Sequence, residues 1–261
     1  MNYKAVFLDI DGTILMPNHT YSDSTVEAIK QLKSQGILVF IATGRPLHEI
    51  EELASELSID NFISYNGAHA IYQSNEIVNE PLDKSTIQQF LKTASQEQHE
   101  LVLYTNGKNH LTAIEDPATQ AFIETFEMKK NTIHFDVSTD KVFSATLLKL
   151  KPEDVSHYQL RDNIHLSQVN VPGMEHAYDV IRSNVNKGEA IKKVLTYLDI
   201  KRQQTIAFGD GLNDKEMLTT VGTGFAMANA DPKLFQFASH RTTDVSNSGI
   251  YNGLKQLGLV E

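Results

Sequence analysis

The sequence predicts an α/β protein. A parallel sheet covered by helices on both faces is interrupted by an inserted α+β domain. Three observations carry this. Short, uncharged apolar runs recur, and stretches with apolar residues at helical spacing follow them. Several runs end directly in Gly, Thr or Asp. The alternation lapses in the middle of the chain, where hairpin signals replace it. A β-α-β order imposes right-handed crossovers, which place helices on both faces of the sheet.

The first run, Ala5-Val6-Phe7-Leu8, fits a fully buried parallel strand. It leads into Asp9-Ile10-Asp11-Gly12-Thr13. Side chains two apart in an extended segment point the same way, so Asp9 and Asp11 are expected to face one site. Open α/β sheets bind ligands at the carboxyl ends of their strands. Two like charges held this close favour a bound cation or a shared proton. Ser24 and Glu27 read as a capping box opening a helix through Val26, Ile29 and Leu32, with Gly36 ending it. A second strand over residues 37–42 ends in Thr43-Gly44-Arg45-Pro46, and Leu47, Ile50, Leu53 and Leu57 mark the next helix. A third strand, Phe62 to Tyr65, runs into Asn66-Gly67.

In the middle stretch a helix is expected from Ser85, then a hairpin pairing Leu101–Tyr104 with Leu111–Ile114 across Asn106-Gly107. A helix over 118–128 and strands over 145–150, 165–169 and 177–181 complete it. Six of the ten histidines lie here, without an HxH or HExxH pattern, so they read as scattered surface or cleft residues. The parallel pattern resumes with a helix from Lys187 carrying Ile191, Val194, Leu195 and Leu198. The strand Thr205–Phe208 ends in Gly209-Asp210-Gly211-Leu212-Asn213-Asp214, again acidic at a strand terminus. A helix with Met217 and Leu218, a strand over 225–228, a helix opened by Asp231-Pro232 and a final amphipathic helix over 250–257 follow. The expected division is a discontinuous core of residues 1–82 and 183–261 and an insertion of residues 83–182.

At 261 residues and 41% hydrophobic content the chain can bury a sizeable core. A net charge of −10 leaves no basic surplus for a nucleic-acid polymer. An anionic substrate would therefore need a local counter-charge from a metal, a Lys or a helix N-terminus. The absence of Cys excludes disulfides, thiolate metal sites and cysteine nucleophiles. No apolar run approaches the ~18 residues of a membrane span. Met1-Asn2-Tyr3-Lys4 shows no signal-peptide pattern, so a cytoplasmic protein without a membrane partner is expected. No sequence feature encodes an oligomeric state. The P-loop, dinucleotide-fold and nucleophile-elbow motifs are absent.

Four elements in order, Asp9–Thr13, Thr43-Gly44, Lys187 and Gly209–Asp214, resemble the haloacid dehalogenase (HAD) superfamily. The placement of the insertion resembles its Cof-like type IIB phosphatases, as do Asn66-Gly67-Ala68 and the 226–230 segment. Ala228 stands where that group often has Gly. The resemblance implies a Rossmann-like core with an α+β cap. It also implies a Mg²⁺-dependent phosphatase of small phosphorylated metabolites (sugar phosphates, nucleotides or phosphorylated vitamins) working through an aspartyl-phosphate. Asp9 is then the nucleophile and Asp11 the general acid and base. Thr43, the Gly44 amide, Lys187 and Asn213 would bind phosphoryl oxygens. Asp9, Asp210 and the Asp11 main-chain carbonyl would hold Mg²⁺, with Asn213 or Asp214 completing the shell directly or through water. For Asp214, capping its helix or orienting Lys187 is the competing role. Asn66 reads equally as a leaving-group contact or a turn residue, and Arg45 as a substrate contact or a surface residue. The cap is expected to close over the substrate and contact its leaving group. His110, Glu115, His176 and Tyr178 lie in cap segments, but nothing in their spacing assigns them. A sugar phosphomutase and a non-catalytic phosphometabolite sensor are the alternatives; the intact Asp9, Asp11, Lys187 and Asp210 argue against the sensor.

Overall fold

The computed structural model describes residues 2–159 and 162–261. The first stretch of chain carries β1 (Ala5–Leu8), α1 (Asp23–Ser34), β2 (Leu38–Ala42), α2 (Leu47–Glu56), β3 (Phe62–Ser64), β4 (His69–Tyr72) and β5 (Asn75–Asn79). The middle stretch carries α3 (Lys84–Glu97), β6 (Glu100–Thr105), β7 (Asn109–Leu111), α4 (Pro117–Thr125), β8 (Asn131–Thr132), β9 (Val142–Leu148), β10 (Ile164–Gln168) and β11 (Tyr178–Arg182). The last stretch carries α5 (Lys187–Leu198), β12 (Thr205–Gly209), α6 (Lys215–Thr220), β13 (Thr223–Ala226), β14 (His240–Arg241) and α7 (Gly249–Gln256). Two compact units result, one of residues 1–45, 52–79 and 186–261, the other of residues 46–51 and 80–185.

The first unit is built on an eight-stranded sheet in the order β14-β13-β12-β1-β2-β3-β4-β5. Pairing is parallel from β14 through β3, and β4 and β5 add antiparallel strands at one edge. The sequence reading contains no hairpin there, because the apolar residues of His69 to Asn79, Ala70-Ile71-Tyr72 and Ile77-Val78, come in runs of only three and two. β1 lies centrally, in register with both neighbours: Leu8 is level with Ile41 of β2 and Phe208 of β12. Strand order runs outward from β1 in opposite directions, so the crevice at its carboxyl end is the switch point where such sheets bind ligands. Phe7 stacks on Phe40 at 5.0 Å and Phe208 on Phe225 at 4.7 Å, and Ile191, Val194 and Met217 bury helix faces against the same sheet. These contacts fix β1, β2 and β12 rigidly, since aromatic pairs add to area burial.

Several boundaries differ from the sequence reading for local reasons. Ser22, not Ser24, caps α1 by accepting from the Thr25 amide. The segment after Pro232 forms a 3₁₀ helix, not an α-helix. Strand β13 ends at Ala226, two residues early, because the Met227 carbonyl accepts from the Ala230 amide and closes a turn.

The second unit holds a six-stranded sheet, β10-β11-β9-β6-β7-β8, antiparallel except for β7 with β8. Leu101, Leu103, Leu147 and Val180 from this sheet pack with Ile87 and Phe90 of α3. Val102, Leu111 and Leu148 pack with Phe122 of α4. Two clusters on one sheet follow from the alternation of side chains along each strand. Tyr178 belongs to the first cluster and His110 is buried at 1% exposure, so neither presents a free polar group at the surface. Among the described residues, no helix is long and apolar enough to cross a membrane.

Candidate active site

Strand β1 ends at Leu8, and Asp9 N–H still donates to the Phe208 carbonyl of β12. Asp9 is thereby held at the switch point and is 6% exposed. The chain then curls: the Ile10 carbonyl accepts from the amides of Thr13, Ile14 and Leu15. This turn breaks the extended geometry that the i, i+2 argument needs. Asp9 and Asp11 consequently do not present their carboxylates together. The Asp11 side chain is 56% exposed and is gripped by Arg45, with Nε to Oδ2 at 2.8 Å and Nη2 to Oδ1 at 2.5 Å.

The carboxylates that do converge come from two strand ends. Asp9, Asp210 and Asp214 each offer an oxygen within 4.8 Å of the others. Lys187, fully buried, donates to Asp9 Oδ1 at 2.5 Å and to Asp214 Oδ1 at 2.6 Å. It is delivered by the first turn of α5, whose N-cap Asn186 accepts from the Glu189 amide. The second oxygen of Asp214 accepts from the Asp210 and Gly211 amides at 3.0 and 3.1 Å. Both oxygens of Asp214 are therefore committed to shaping the loop and seating Lys187. Asp210 is oriented by Thr13, which donates to its Oδ1 at 2.9 Å.

One ammonium faces three carboxylates here, so the cluster carries surplus negative charge. Burial, and then Asp214 beside it, hold Asp9 well above the usual carboxylate range. Burial likewise pushes Asp210 up to about 6. For Lys187, burial alone would lower the pKa, but Asp214 and Asp9 outweigh it and raise it. The three carboxylates are placed so that they could hold a divalent cation. The donors are hard carboxylate oxygens, which suit Mg²⁺, and Asp9 Oδ2 and Asp210 Oδ2 accept no hydrogen bond from the described residues.

Thr43 and Gly44 leave β2 at the same sheet edge as Asp9. The Thr43 hydroxyl accepts from the Arg45 amide at 3.1 Å, which leaves its proton to donate, and its carbonyl accepts from the Asn66 amide. Asn66 has φ +52° and lies over Gly44: a Cβ on Gly44 would come within 3.1 Å of its amide group. Asn66 also accepts from Asn213 Nδ2 at 3.1 Å. The turn role and a link to Asn213 are thus both realised in one side chain. Sequence reasoning missed Asn229. Its Nδ2 donates to the Gly12 carbonyl at 2.8 Å and its Oδ1 accepts from the Val245 amide at 3.0 Å, bracing the loop after β1. Its place in the 226–230 segment was the available signal.

Gly12 shows how tightly that loop is packed. It has φ +81°, and a Cβ there would lie 2.2 Å from Asp210 Oδ2. Gly12→Ala is expected to cost roughly 1–3 kcal/mol from the backbone strain alone, and to displace Asp210. Chemical denaturation together with metal titration checks this; unchanged stability and metal affinity would refute it.

Comparison with known proteins supplies the family. The haloacid dehalogenase-like hydrolase model matches residues 6–254. YkrA of Bacillus subtilis (strain 168) is 33% identical over 261 residues, covering 100% of both chains. The 5-amino-6-(5-phospho-D-ribitylamino)uracil phosphatase YitU of the same organism is 27% identical over 271 residues, covering 96% of each. The solved structure of the HAD subclass IIB sugar phosphatase BT4131 superposes with a TM-score of 0.81 at 23% identity, covering 98% of this chain and 100% of that one, a likeness of fold. With the strand-end carboxylates, the buried lysine and a family match over nearly its whole length, this chain belongs to the haloacid dehalogenase-like hydrolases, with the fold of the Cof-like type IIB group.

Proposed function

We propose that this chain is a Mg²⁺-dependent phosphatase of small phosphorylated metabolites, with Asp9 as its nucleophile. The observation that carries the reading is the buried Lys187 bridging Asp9 and Asp214 beside Asp210. A structural ion pair needs one carboxylate, and three around one ammonium are a poised anionic centre. Asp9 and Asp210 would hold the metal together with the Asp11 main-chain carbonyl. Bound there, Mg²⁺ supplies positive charge that offsets repulsion between a carboxylate and a phosphate dianion.

The residues divide the work. An Asp9 oxygen attacks phosphorus, and the P–O ester bond breaks with its electron pair going to the ester oxygen. That oxygen takes a proton from Asp11. Water then attacks the aspartyl-phosphate, gives a proton back to Asp11, and frees Asp9 and inorganic phosphate. Lys187 fixes Asp9 and offsets charge on the phosphoryl oxygens, while Thr43, the Gly44 amide and Asn213 donate to them. Asp214, with both oxygens occupied, positions Lys187 and Asp210 rather than binding substrate. Arg45 must release Asp11 for the proton transfer. The 5-amino-6-(5-phospho-D-ribitylamino)uracil phosphatase YitU supports a small metabolite as substrate class.

The test is phosphate release from a panel of phosphorylated metabolites, with Mg²⁺ and with EDTA. Release that requires the metal is expected; release undiminished by EDTA would remove the metal from the reading. Asp11→Asn separates the acid role. A loss of about 10²–10⁴-fold is expected on alkyl phosphates, and a smaller one on aryl phosphates, whose leaving group needs less protonation. Equal, small losses on both would refute it.

A further inference from the structure

Between β3 and β4 the chain turns through Tyr65, Asn66 and Gly67, and all three have positive φ, at +51°, +52° and +100°. Residues other than Gly visit this region singly, and a bulky one such as Tyr rarely does. Two non-glycine residues in a row are therefore strained, and such strain persists only where the surroundings over-determine it. Here three segments do so. The Tyr65 amide donates to the Arg45 carbonyl at 3.3 Å, and the Asn66 amide to the Thr43 carbonyl at 3.0 Å. Gly67 packs on the backbone before Lys187: a Cβ there would lie 2.3 Å from the Asn186 carbonyl oxygen. The Asn66 side chain accepts from Asn213 Nδ2 at 3.1 Å. One turn thus joins the segments that carry Thr43, Lys187 and Asn213.

A turn alone needs no amide at position 66, since Gly makes it without strain. What Gly would lack is the link to Asn213. That residue is exposed, and a terminal amide torsion is broad, so its own rotamer does not fix the direction of Nδ2. The Asn213 amide is held from two sides. Its Oδ1 lies over Gly211, where a Cβ would come within 2.4 Å of it, and its Nδ2 gives one proton to Asn66. The second Nδ2 proton is left to donate. On its other side the Asn66 amide lies over Gly44. It therefore spans the two groups whose N–H protons are assigned to phosphoryl oxygens.

We propose that Asn66 is a positioning residue: its amide fixes Asn213 so that the second Nδ2 proton meets a phosphoryl oxygen, and the strained turn holds that amide in place. The assignment rests on the phosphatase reading. Asn66→Gly, Asn66→Ala, Asn213→Ala and the double variant Asn66→Gly/Asn213→Ala test it, with p-nitrophenyl phosphate and Mg²⁺. Asn66→Gly is expected to lower kcat/KM by about tenfold, the lower end for one hydrogen bond to a charged group. Asn66→Ala should lose as much and melt about 1–4 °C below Asn66→Gly, because its Cβ keeps the strain. The loss should fall on KM, with a parallel rise in the inhibition constant of inorganic phosphate, since the contact is made in substrate and product alike. Because Asn66 acts through Asn213, the double variant should lose about tenfold, as either single variant does, rather than about a hundredfold. Wild-type kcat/KM in Asn66→Gly would overturn the proposal and leave a turn residue. So would additive losses in the double variant, a loss confined to kcat with unchanged phosphate inhibition, or failure of Asn66→Gly to fold. No turnover of p-nitrophenyl phosphate or of the metabolite panel by the wild-type protein would instead overturn the phosphatase reading, and this assignment with it.

Discussion

Asp9→Asn is expected to lower phosphate release by at least about a thousandfold, because no other group can form the covalent intermediate. The same substitution should leave the protein folded. Lys187 keeps Asp214 as a partner at 2.6 Å, so the change turns a cluster with one ammonium and three carboxylates into a less crowded one. Burial already raises the pKa of Asp9, which marks its charged form as disfavoured in the fold. The metal-free variant should accordingly melt no lower than the metal-free wild type, a trade of stability for activity that is common at catalytic centres. Activity and thermal melts on one preparation check both halves. A variant with near wild-type, metal-dependent turnover would remove Asp9 as nucleophile.

Lys187→Met should behave oppositely and lose both activity and stability. Met approximates the apolar stem but leaves Asp9 and Asp214 buried without their cation. Removing one member of a buried pair costs about 3–5 kcal/mol. For a chain of this size that corresponds to a fall in Tm of roughly 6–20 °C. Excess Mg²⁺ should recover part of the stability, since a second cation restores some counter-charge, but not the activity. A melting temperature within a degree or two of wild type would show that the carboxylates find compensation elsewhere, and would weaken the central role given to Lys187.

The site was legible because parallel strands punctuate a sequence clearly. Ala5–Leu8 and Ile206–Phe208 are buried on both faces, so each is an unbroken apolar run, and the Asp that follows each, directly or after one Gly, stands out. Lys187 was legible only in company with the other motifs, since a lysine in the first turn of a helix is ordinarily solvated. What failed was geometry beyond the strand ends. The turn closed on the Ile10 carbonyl redirects Asp11, and no periodicity encodes that. The pairing of Arg45 with Asp11 and the bracing by Asn229 join residues 34 and 217 positions apart, and single-sequence patterns carry no such information. The β4–β5 hairpin escaped notice because an edge strand half open to water needs no apolar run.

Arg182 donates to the carbonyls of Pro81, at 3.3 Å, and Phe143, at 3.0 Å, and so ties together the two ends of the second unit. This bears on how the protein folds. Asp9 and Lys187 are separated by 178 positions, and β1 cannot pair with β12 until the intervening chain is ordered or looped out. Loop-closure entropy rises by about 0.6 kcal/mol for each doubling of loop length. A middle segment that condenses first draws its own termini together and shortens that search. The expected sequence of events is therefore inside-out along the chain. In pulse-labelled refolding, amides of β6 and β9 should gain protection before those of β12, and the cluster of Asp9, Lys187, Asp210 and Asp214 should be among the last features to assemble.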